Sequence, residues 1–133
     1  MVHLFWEKTI IMKKSILVVD DSQVVLSMLD ETLNNLNYDV TTAKNGIEGC
    51  RHIETKKFDM VITDLNMPGM DGIELTKRSR QLPNCKFVPI VMLSGEEDEA
   101  KISEAKSMGI STFLKKPVKE SQLKTILQIV LGT

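Results

Sequence analysis

The stretch VITDLNMPGMDG, residues 61–72, contains the pattern that decides the fold and its chemistry. The apolar run at residues 59–64 predicts a buried strand that ends in Asp64, and a Met-Pro-Gly turn follows. Asp71 fits the N-cap of the next helix, with Glu74 three residues later. A carboxylate at the tip of a buried strand is costly to desolvate unless something pairs with it. Asp64 therefore either caps nearby backbone or belongs to a site.

Strand and helix patterns alternate on both sides of this stretch. The predicted strands are residues 15–20, 38–43, 59–64, 88–94 and 111–115. Apolar residues spaced by three and four predict a first helix at residues 22–36 and a last helix whose core face lies within residues 123–131. Shorter helices are predicted from residue 45, from Asp71, and from Glu97 to Met108, the last of these ending at Gly109.

Five strands alternating with five helices predict an α/β fold, a doubly wound parallel sheet with helices on both faces. The second strand is more polar than the others and suits a sheet edge, which favours the flavodoxin-like order 2-1-3-4-5. In that order the first and third strands are neighbours, and the chain reverses direction between them. Ligands bind at such a switch point, beyond the carboxyl ends of the strands.

The composition is that of one ordinary globular domain. The 133 residues are 42% hydrophobic and 26% charged, with a formal net charge of -1. This charge gives no reason to expect nucleic acid or an anionic membrane as partner, and no apolar run approaches the about 20 residues of a membrane helix. Cys50 and Cys85 are too few and too far apart for a disulfide framework or a metal knuckle. We interpret them as reduced thiols in a cytoplasmic protein.

The first eleven residues, MVHLFWEKTII, differ from the rest. They contain the only tryptophan, Trp6, yet they lack the cationic start and long apolar core of a signal peptide. Met12 then opens MKKSILVVDDS, a natural start for a domain that begins with a strand. We predict one domain at residues 12–133. Residues 1–11 are either an upstream start or an amphipathic arm that docks on a partner.

Polar residues stand at the carboxyl ends of four of the five predicted strands. They are Asp20, Asp21, Asp64, Ser94, Lys115 and Lys116. Asp21 or Ser22 could cap the first helix, but capping alone does not explain three carboxylates at one crevice. Their repulsion would raise at least one pKa, and a hard divalent cation would relieve it. Oxygen ligands with room for water suit magnesium.

A metal, a lysine, a hydroxyl and a carboxylate are the parts that phosphoryl transfer needs. Asp64 can act as the nucleophile and form an acyl phosphate. Magnesium and Lys116 would neutralise the developing charge on the phosphoryl oxygens, and Ser94 would donate a hydrogen bond to them. The sequence therefore predicts that Asp64 is phosphorylated.

The motifs VVDDS, DLNMPGMDG, MLSGE and FLKKP occur in one order and span nearly the whole chain. From about Lys14 to Leu131 the chain resembles a receiver domain of bacterial two-component response regulators. The segment RSRQLPNCKFVPIVMLS resembles the stand-alone chemotaxis branch. The resemblance implies that a histidine kinase or phosphotransfer protein supplies the phosphoryl group to Asp64.

The resemblance also implies the ligands of the metal. Asp21, Asp64 and the backbone carbonyl of Asn66 would ligate magnesium, and Asp20 would act through water. Asn66 and Glu96 occupy variable positions near the phosphate that tune hydrolysis. The charged run EEDEAK, which begins at Glu96, is interpreted as a solvated helix face.

The resemblance further implies that Ser94 and Lys116 bind the oxygens of the phosphoryl group. Phe113 would be the aromatic switch residue, and the Lys116–Pro117 bond would be cis. The chain ends two residues after its last apolar position, so we expect non-covalent output. A downstream protein would bind the face formed by the fourth helix, fifth strand and fifth helix. Such a protein would be a monomer or weak dimer and catalyse only its own phosphorylation and dephosphorylation.

Three other functions fit parts of the sequence. A flavodoxin-type FMN module shares the topology, but it needs a Ser/Thr/Gly-rich phosphate loop where this chain has DDSQ, which would repel a phosphate. A haloacid-dehalogenase-type phosphatase carries its nucleophile in a D-x-D pair after the first strand, and that pattern is absent. An adaptor that uses the fold without phosphorylation stays open.

Overall fold

The computed structural model describes residues 13–95 and 99–132 of the chain. The strands are β1 (Ser15–Val19), β2 (Asp39–Ala43), β3 (Met60–Asp64), β4 (Ile90–Ser94) and β5 (Thr112–Lys115). The helices are α1 (Gln23–Asn35), α2 (Gly46–Thr55), α3 (Gly72–Arg80), α4 (Glu99–Ser107) and α5 (Glu120–Leu131). The extension predicted at residues 1–11 and the helix start predicted at Glu97 lie outside the described residues.

The five strands form one parallel sheet in the order β2-β1-β3-β4-β5, which confirms the predicted fold. β3 and β4 are buried along their whole length, whereas β2 lies at an edge and is largely exposed or partly buried. The register pairs Val19 with Thr63, Asp64 with Leu93, and Ser94 with Lys115. The carboxyl ends of β1, β3, β4 and β5 are therefore level with one another.

Both faces of the sheet are covered because successive side chains of a strand point to opposite sides. On one face, Ile16, Val18 and Ile62 pack with the apolar sides of α1 and α5. On the other face, Leu17 and Val19 belong to a second cluster with α2 and α3. The two clusters pack the central strands on both faces, so the side chains at the ends of those strands are held in fixed positions.

Local chemistry sets the ends of several elements. The Ser22 hydroxyl accepts a hydrogen bond from the Val25 amide at 3.3 Å, and the Asp71 carboxylate accepts one from the Glu74 amide at 2.9 Å, as the predicted caps require. Gly109 follows α4 with a left-handed φ of 80°, as expected for a helix end.

The predicted start of the fourth strand at residue 88 is wrong, because β4 begins at Ile90. Pro89 has no N–H to donate to a ladder, and only its carbonyl takes part, accepting from the Val61 amide at 2.9 Å. A 3-10 turn at Pro83–Cys85, which no sequence pattern predicted, connects α3 to β4.

Gly72 allows α3 to begin directly against the end of β3. A Cβ atom at this position would lie 2.4 Å from the Asp64 carbonyl oxygen and 3.1 Å from the Leu65 Cα, both backbone atoms. The Gly72 amide donates to the Leu65 carbonyl at 2.9 Å. The absent side chain is therefore what lets the helix and the strand end, with Asp64 at its tip, approach so closely.

We expect Gly72→Ala to lower the free energy of unfolding by about 1–3 kcal/mol, because backbone atoms must move to admit the methyl group. Denaturant unfolding measures this change. The matched control is Gly95→Ala, since a Cβ atom at Gly95 meets nothing within 4 Å, and it should change stability by less than about 0.5 kcal/mol. Equal stability of the two variants would show that the close approach is not a constraint.

Candidate functional site

Three carboxylates meet beyond the carboxyl ends of β1 and β3. Asp20, Asp21 and Asp64 each offer an oxygen, and these oxygens lie within 4.8 Å of one another. Asp20 is fully buried, Asp64 is 5% exposed, and Asp21 is exposed. The predicted convergence of the acidic strand tips is thus present, with two of the three carboxylates buried.

Lys116 brings a positive charge to this acidic cluster from the chain that follows β5. Its Nζ atom lies 2.9 Å from Asp20 Oδ2 and 3.2 Å from Asp64 Oδ2. The Lys116 amide donates to the Ser94 carbonyl at 2.8 Å, and the Lys116–Pro117 bond is cis. The neighbouring Lys115 is exposed on the strand. Lys116 is therefore the lysine that reaches the carboxylates.

The environment changes the proton affinities of two of these groups. Burial raises the pKa of Asp64, the charge of Asp20 raises it further, and the Lys116 ammonium group and the Asn66 amide offset this in part. Burial alone would lower the pKa of Lys116, but the carboxylates of Asp20 and Asp64 outweigh it and raise that pKa. Lys116 is therefore charged at neutral pH, and an ionised Asp64 would gain from a further positive charge.

The acidic cluster has the donor chemistry of a hard-cation site. Asp20 Oδ1 accepts a hydrogen bond from the Ser22 amide at 2.9 Å. Apart from the Lys116 ammonium group, no donor among the described residues reaches the buried Asp20 Oδ2 atom. One ammonium ion faces three carboxylates, which leaves an excess of negative charge. Oxygen ligands with one exposed side suit a magnesium ion that keeps part of its water shell.

Ser94 and Asn66 lie beside the acidic cluster. Ser94 is 7% exposed at the end of β4 and follows Leu93, which pairs with Asp64 in the sheet. The Asn66 amide donates to Asp64 Oδ1 at 3.4 Å, and the Asn66 side chain is exposed. Glu96, the other predicted variable position, lies outside the described residues. The structure thus brings all the predicted site residues that it describes to one edge of the sheet.

Lys101 of α4 also reaches the rim of the site, although the sequence motifs did not mark it. Its Nζ atom donates to Asn66 Oδ1 at 3.0 Å. Lys101 belongs to the charged run EEDEAK, and a charge run of this kind is typical of a solvated helix face. The contact joins a helix to a loop 35 residues away along the chain, so no local spacing signals it.

Phe113 on β5 is partly buried on the other side of Ser94. Its ring packs against a small cluster that includes Leu65, Met92 and Ala105. Beside it lies a pocket of about 290 Å³, lined by Ser94, Ile102, Lys106, Phe113 and Lys115. The aromatic ring and the Ser94 hydroxyl therefore border the same space.

The family of the response regulator receiver domain matches residues 16–128, a span that contains the acidic cluster and Lys116. The chain belongs to this family. The acidic cluster of this receiver domain fits the phosphoacceptor function of two-component signalling. Among the described residues, no helix is long and apolar enough to span a membrane.

Chemotaxis proteins are among the relatives of this receiver domain. It is 37% identical over 120 residues to chemotaxis protein CheY1 of Helicobacter pylori, which covers 89% of this chain and 97% of that protein. Identity to the CheY homolog of Campylobacter jejuni is also 37%, over 121 residues, which covers 89% of this chain and 92% of that protein. The matched span thus includes nearly the whole length of both relatives.

Solved structures show the same fold. Chemotaxis protein CheY4 of Vibrio cholerae superimposes with a TM-score of 0.84 at 37% identity, covering 89% of this chain and 98% of that one. The receiver domain of sensor histidine kinase PA1611 from Pseudomonas aeruginosa superimposes with a TM-score of 0.83 at 30% identity, covering 91% and 99%. That structure holds a magnesium ion coordinated in its active site cleft.

Proposed function

We propose that this receiver domain accepts a phosphoryl group on Asp64 from a histidine kinase or phosphotransfer protein, with magnesium bound beside it. The observation that supports this most is the Lys116 ammonium group between two buried carboxylates, 2.9 Å from Asp20 and 3.2 Å from Asp64. A purely structural ion pair needs one carboxylate and not three. The magnesium-bound receiver domain of PA1611 supports the same assignment.

The proposed reaction moves one phosphoryl group. An Asp64 carboxylate oxygen attacks phosphorus as the bond from phosphorus to the donor nitrogen breaks, and the electron pair of that bond stays on the donor. Lys116 stabilises negative charge on the phosphoryl oxygens, and Ser94 donates a hydrogen bond to one of them. Asp21, Asp64 and the Asn66 carbonyl would hold magnesium, with Asp20 acting through water. When bound, the ion neutralises phosphoryl charge.

We expect acetyl phosphate with magnesium to add one phosphoryl mass to the protein, because a small acyl phosphate can replace the kinase as donor. The adduct should be labile to base and hydroxylamine, as acyl phosphates are. Asp64→Asn should abolish it, since the amide is a poor nucleophile. Intact mass spectrometry measures the adduct.

The matched control for labelling is Asp39→Asn, which changes an exposed aspartate at the opposite end of the sheet. This variant should label like the parent. Labelling of Asp64→Asn at the parental level would refute the assignment of Asp64. A parent that takes up no phosphoryl group would favour the adaptor that uses the fold without phosphorylation.

We expect magnesium to raise the melting temperature, because an ion that binds only the native state stabilises it by mass action. The gain is about 1.4 kcal/mol when free magnesium is tenfold above its dissociation constant. Asp21→Ala should remove most of this gain without unfolding the protein, since Asp21 is exposed. Asp39→Asn serves again as the control. An Asp21→Ala variant with the parental magnesium response would exclude Asp21 as a ligand.

We propose that the output face comprises α4, β5 and α5. A groove of about 470 Å³ runs between β5 and α5, lined by residues that include Phe113, Gln122 and Ile126. Lys115 lines this groove, and three further lysines are exposed on or next to the same elements, at positions 106, 119 and 124. Their positive charge favours an acidic helical partner. A phosphoryl group would draw Ser94 toward Asp64, and Phe113 could then rotate into the pocket that it shares with Ser94.

We expect beryllofluoride, a phosphoryl mimic, to shift amide resonances at Phe113 and along α5 as well as around Asp64. The physical reason is that Phe113 lines both the pocket that contains Ser94 and the groove between β5 and α5. Two-dimensional amide spectra measure the shifts, and Asp64→Asn provides the control without a binding carboxylate. Shifts confined to the loops around Asp64 would contradict the coupling.

We propose further that residues 12–133 form the receiver domain and that the protein acts in the cytoplasm. In this proposal it is a monomer or weak dimer, and it catalyses only its own phosphorylation and dephosphorylation. Sedimentation and acetyl phosphate labelling of a chain that starts at Met12 test the domain boundary and the oligomeric state together. Loss of folded protein on that truncation would contradict the boundary.

A further inference from the structure

The contact between Lys101 and Asn66 links α4 to the loop that follows Asp64. Lys101 Nζ lies 3.0 Å from Asn66 Oδ1. Lys101 also lines two adjoining pockets. One, of about 340 Å³, is shared with Asn66, Pro68 and Gly69. The other, of about 230 Å³, contains Lys77 and Glu104 among its lining residues. Lys101 therefore lies against the exposed loop that follows Asp64.

The chemistry of lysine determines how the Asn66 amide is oriented. A lysine ammonium group donates hydrogen bonds and accepts none, so the Asn66 atom that faces it must be the carbonyl oxygen. The NH2 group of the amide then points away from Lys101. A side-chain amide can otherwise rotate to present either its oxygen or its nitrogen to a neighbour, and this contact selects one orientation.

Asn66 is close enough to Asp64 for this orientation to matter. The two residues are separated by one position, and the Asn66 backbone amide donates to Asp64 Oδ1 at 3.4 Å. Asp64 is buried, whereas the Asn66 side chain is exposed to water. A water molecule that attacks phosphorus is oriented by an acceptor for one of its protons. The side-chain oxygen of Asn66 is such an acceptor.

We propose that Lys101 is a positioning residue that lengthens the life of the phosphoryl group on Asp64 by occupying the acceptor oxygen of Asn66. This inference rests on the proposed phosphorylation of Asp64. While the contact holds, the Lys101 ammonium group takes one of the two lone pairs of Asn66 Oδ1 and draws electron density from that oxygen, so it is a weaker acceptor for the incoming water. When it opens, Asn66 Oδ1 can accept a proton of the water and align its oxygen with phosphorus.

The hydrolysis that Lys101 slows is a simple displacement. The water oxygen forms a bond to phosphorus, and the bond between phosphorus and the Asp64 oxygen breaks with its electron pair left on the carboxylate. The products are the Asp64 carboxylate and dihydrogen phosphate, which keeps both protons of the water. No redox partner or further reactant takes part, so the rate depends on how the water is held.

We expect Lys101→Met to hydrolyse its phosphoryl group about two- to fivefold faster than the parent, the range that an exposed charged hydrogen bond can supply. The protein is labelled with acetyl phosphate and magnesium, the donor is removed, and the loss of phosphoryl mass is followed over time. Lys101→Arg keeps a donor in reach of Asn66 and should restore the slow rate.

Two further variants separate the contact from a general effect of charge. Lys77 lines the same pocket as Lys101 and pairs with Glu104 at 3.3 Å. The variant Lys77→Met removes this charge and should lose its phosphoryl group at the parental rate. In an Asn66→Ala background, Lys101→Met should cause no further acceleration, because the acceptor is gone. The magnesium-dependent rise in melting temperature, measured on the single variants of Lys101 and Lys77, should equal that of the parent.

Each outcome bears on one proposal. Parental hydrolysis in Lys101→Met, or acceleration that persists in the Asn66→Ala background, would overturn the role of Lys101. Equal acceleration of hydrolysis in Lys77→Met would also overturn the role of Lys101, because the loss of any positive charge from the shared pocket would then explain the effect. A parent that acquires no phosphoryl group at all would instead overturn the proposed function of Asp64.

Discussion

The Lys116 ammonium group contacts two buried carboxylates at once, 2.9 Å from Asp20 and 3.2 Å from Asp64, and the rest of the site depends on that interaction. Two buried carboxylates without a counter-charge would cost several kcal/mol. The partners belong to three separate parts of the chain, at the ends of β1, β3 and β5. Only the strand order and the level register of the sheet bring them together.

Lys116 does not neutralise all of the negative charge at the site, and the remaining charge favours the binding of a cation. One lysine faces three carboxylates, so the pocket retains negative charge, and burial together with Asp20 raises the pKa of Asp64. A divalent cation would remove the excess. A phosphoryl group would then add charge and strong acceptors beside Ser94, at the border of the pocket that Phe113 lines. Asn66, in the loop after Asp64, and Lys101 of α4 are proposed to control how water reaches the phosphorus atom.

Regular patterns made the fold and the acidic cluster predictable. Apolar runs located β1, β3 and β4, and the alternation of strand and helix patterns located the other two. The more polar second strand indicated an edge, and parallel topology required the strand tips to meet. Contacts that depend on side-chain direction and on helix placement had no such signal. The Lys101–Asn66 contact crosses from a charged helix to a distant loop, and Gly72 resembles an ordinary turn glycine although a Cβ atom there would strike β3 backbone. Pro89 was included in a strand because a residue without an N–H is tolerated near the first position of a strand, and in the structure the strand begins one residue later, at Ile90.

A crystal structure of the protein with magnesium and beryllofluoride would show whether Asp64 is the phosphoacceptor. We expect beryllofluoride on an Asp64 carboxylate oxygen, with Lys116 Nζ and Ser94 Oγ at hydrogen-bonding distance from its fluorine atoms. Magnesium should lie between that group and the carboxylates of Asp21 and Asp64. Beryllofluoride on Asp20 or Asp21, or a magnesium ion bound away from the acidic cluster while Asp64 keeps only its Lys116 contact, would contradict the account.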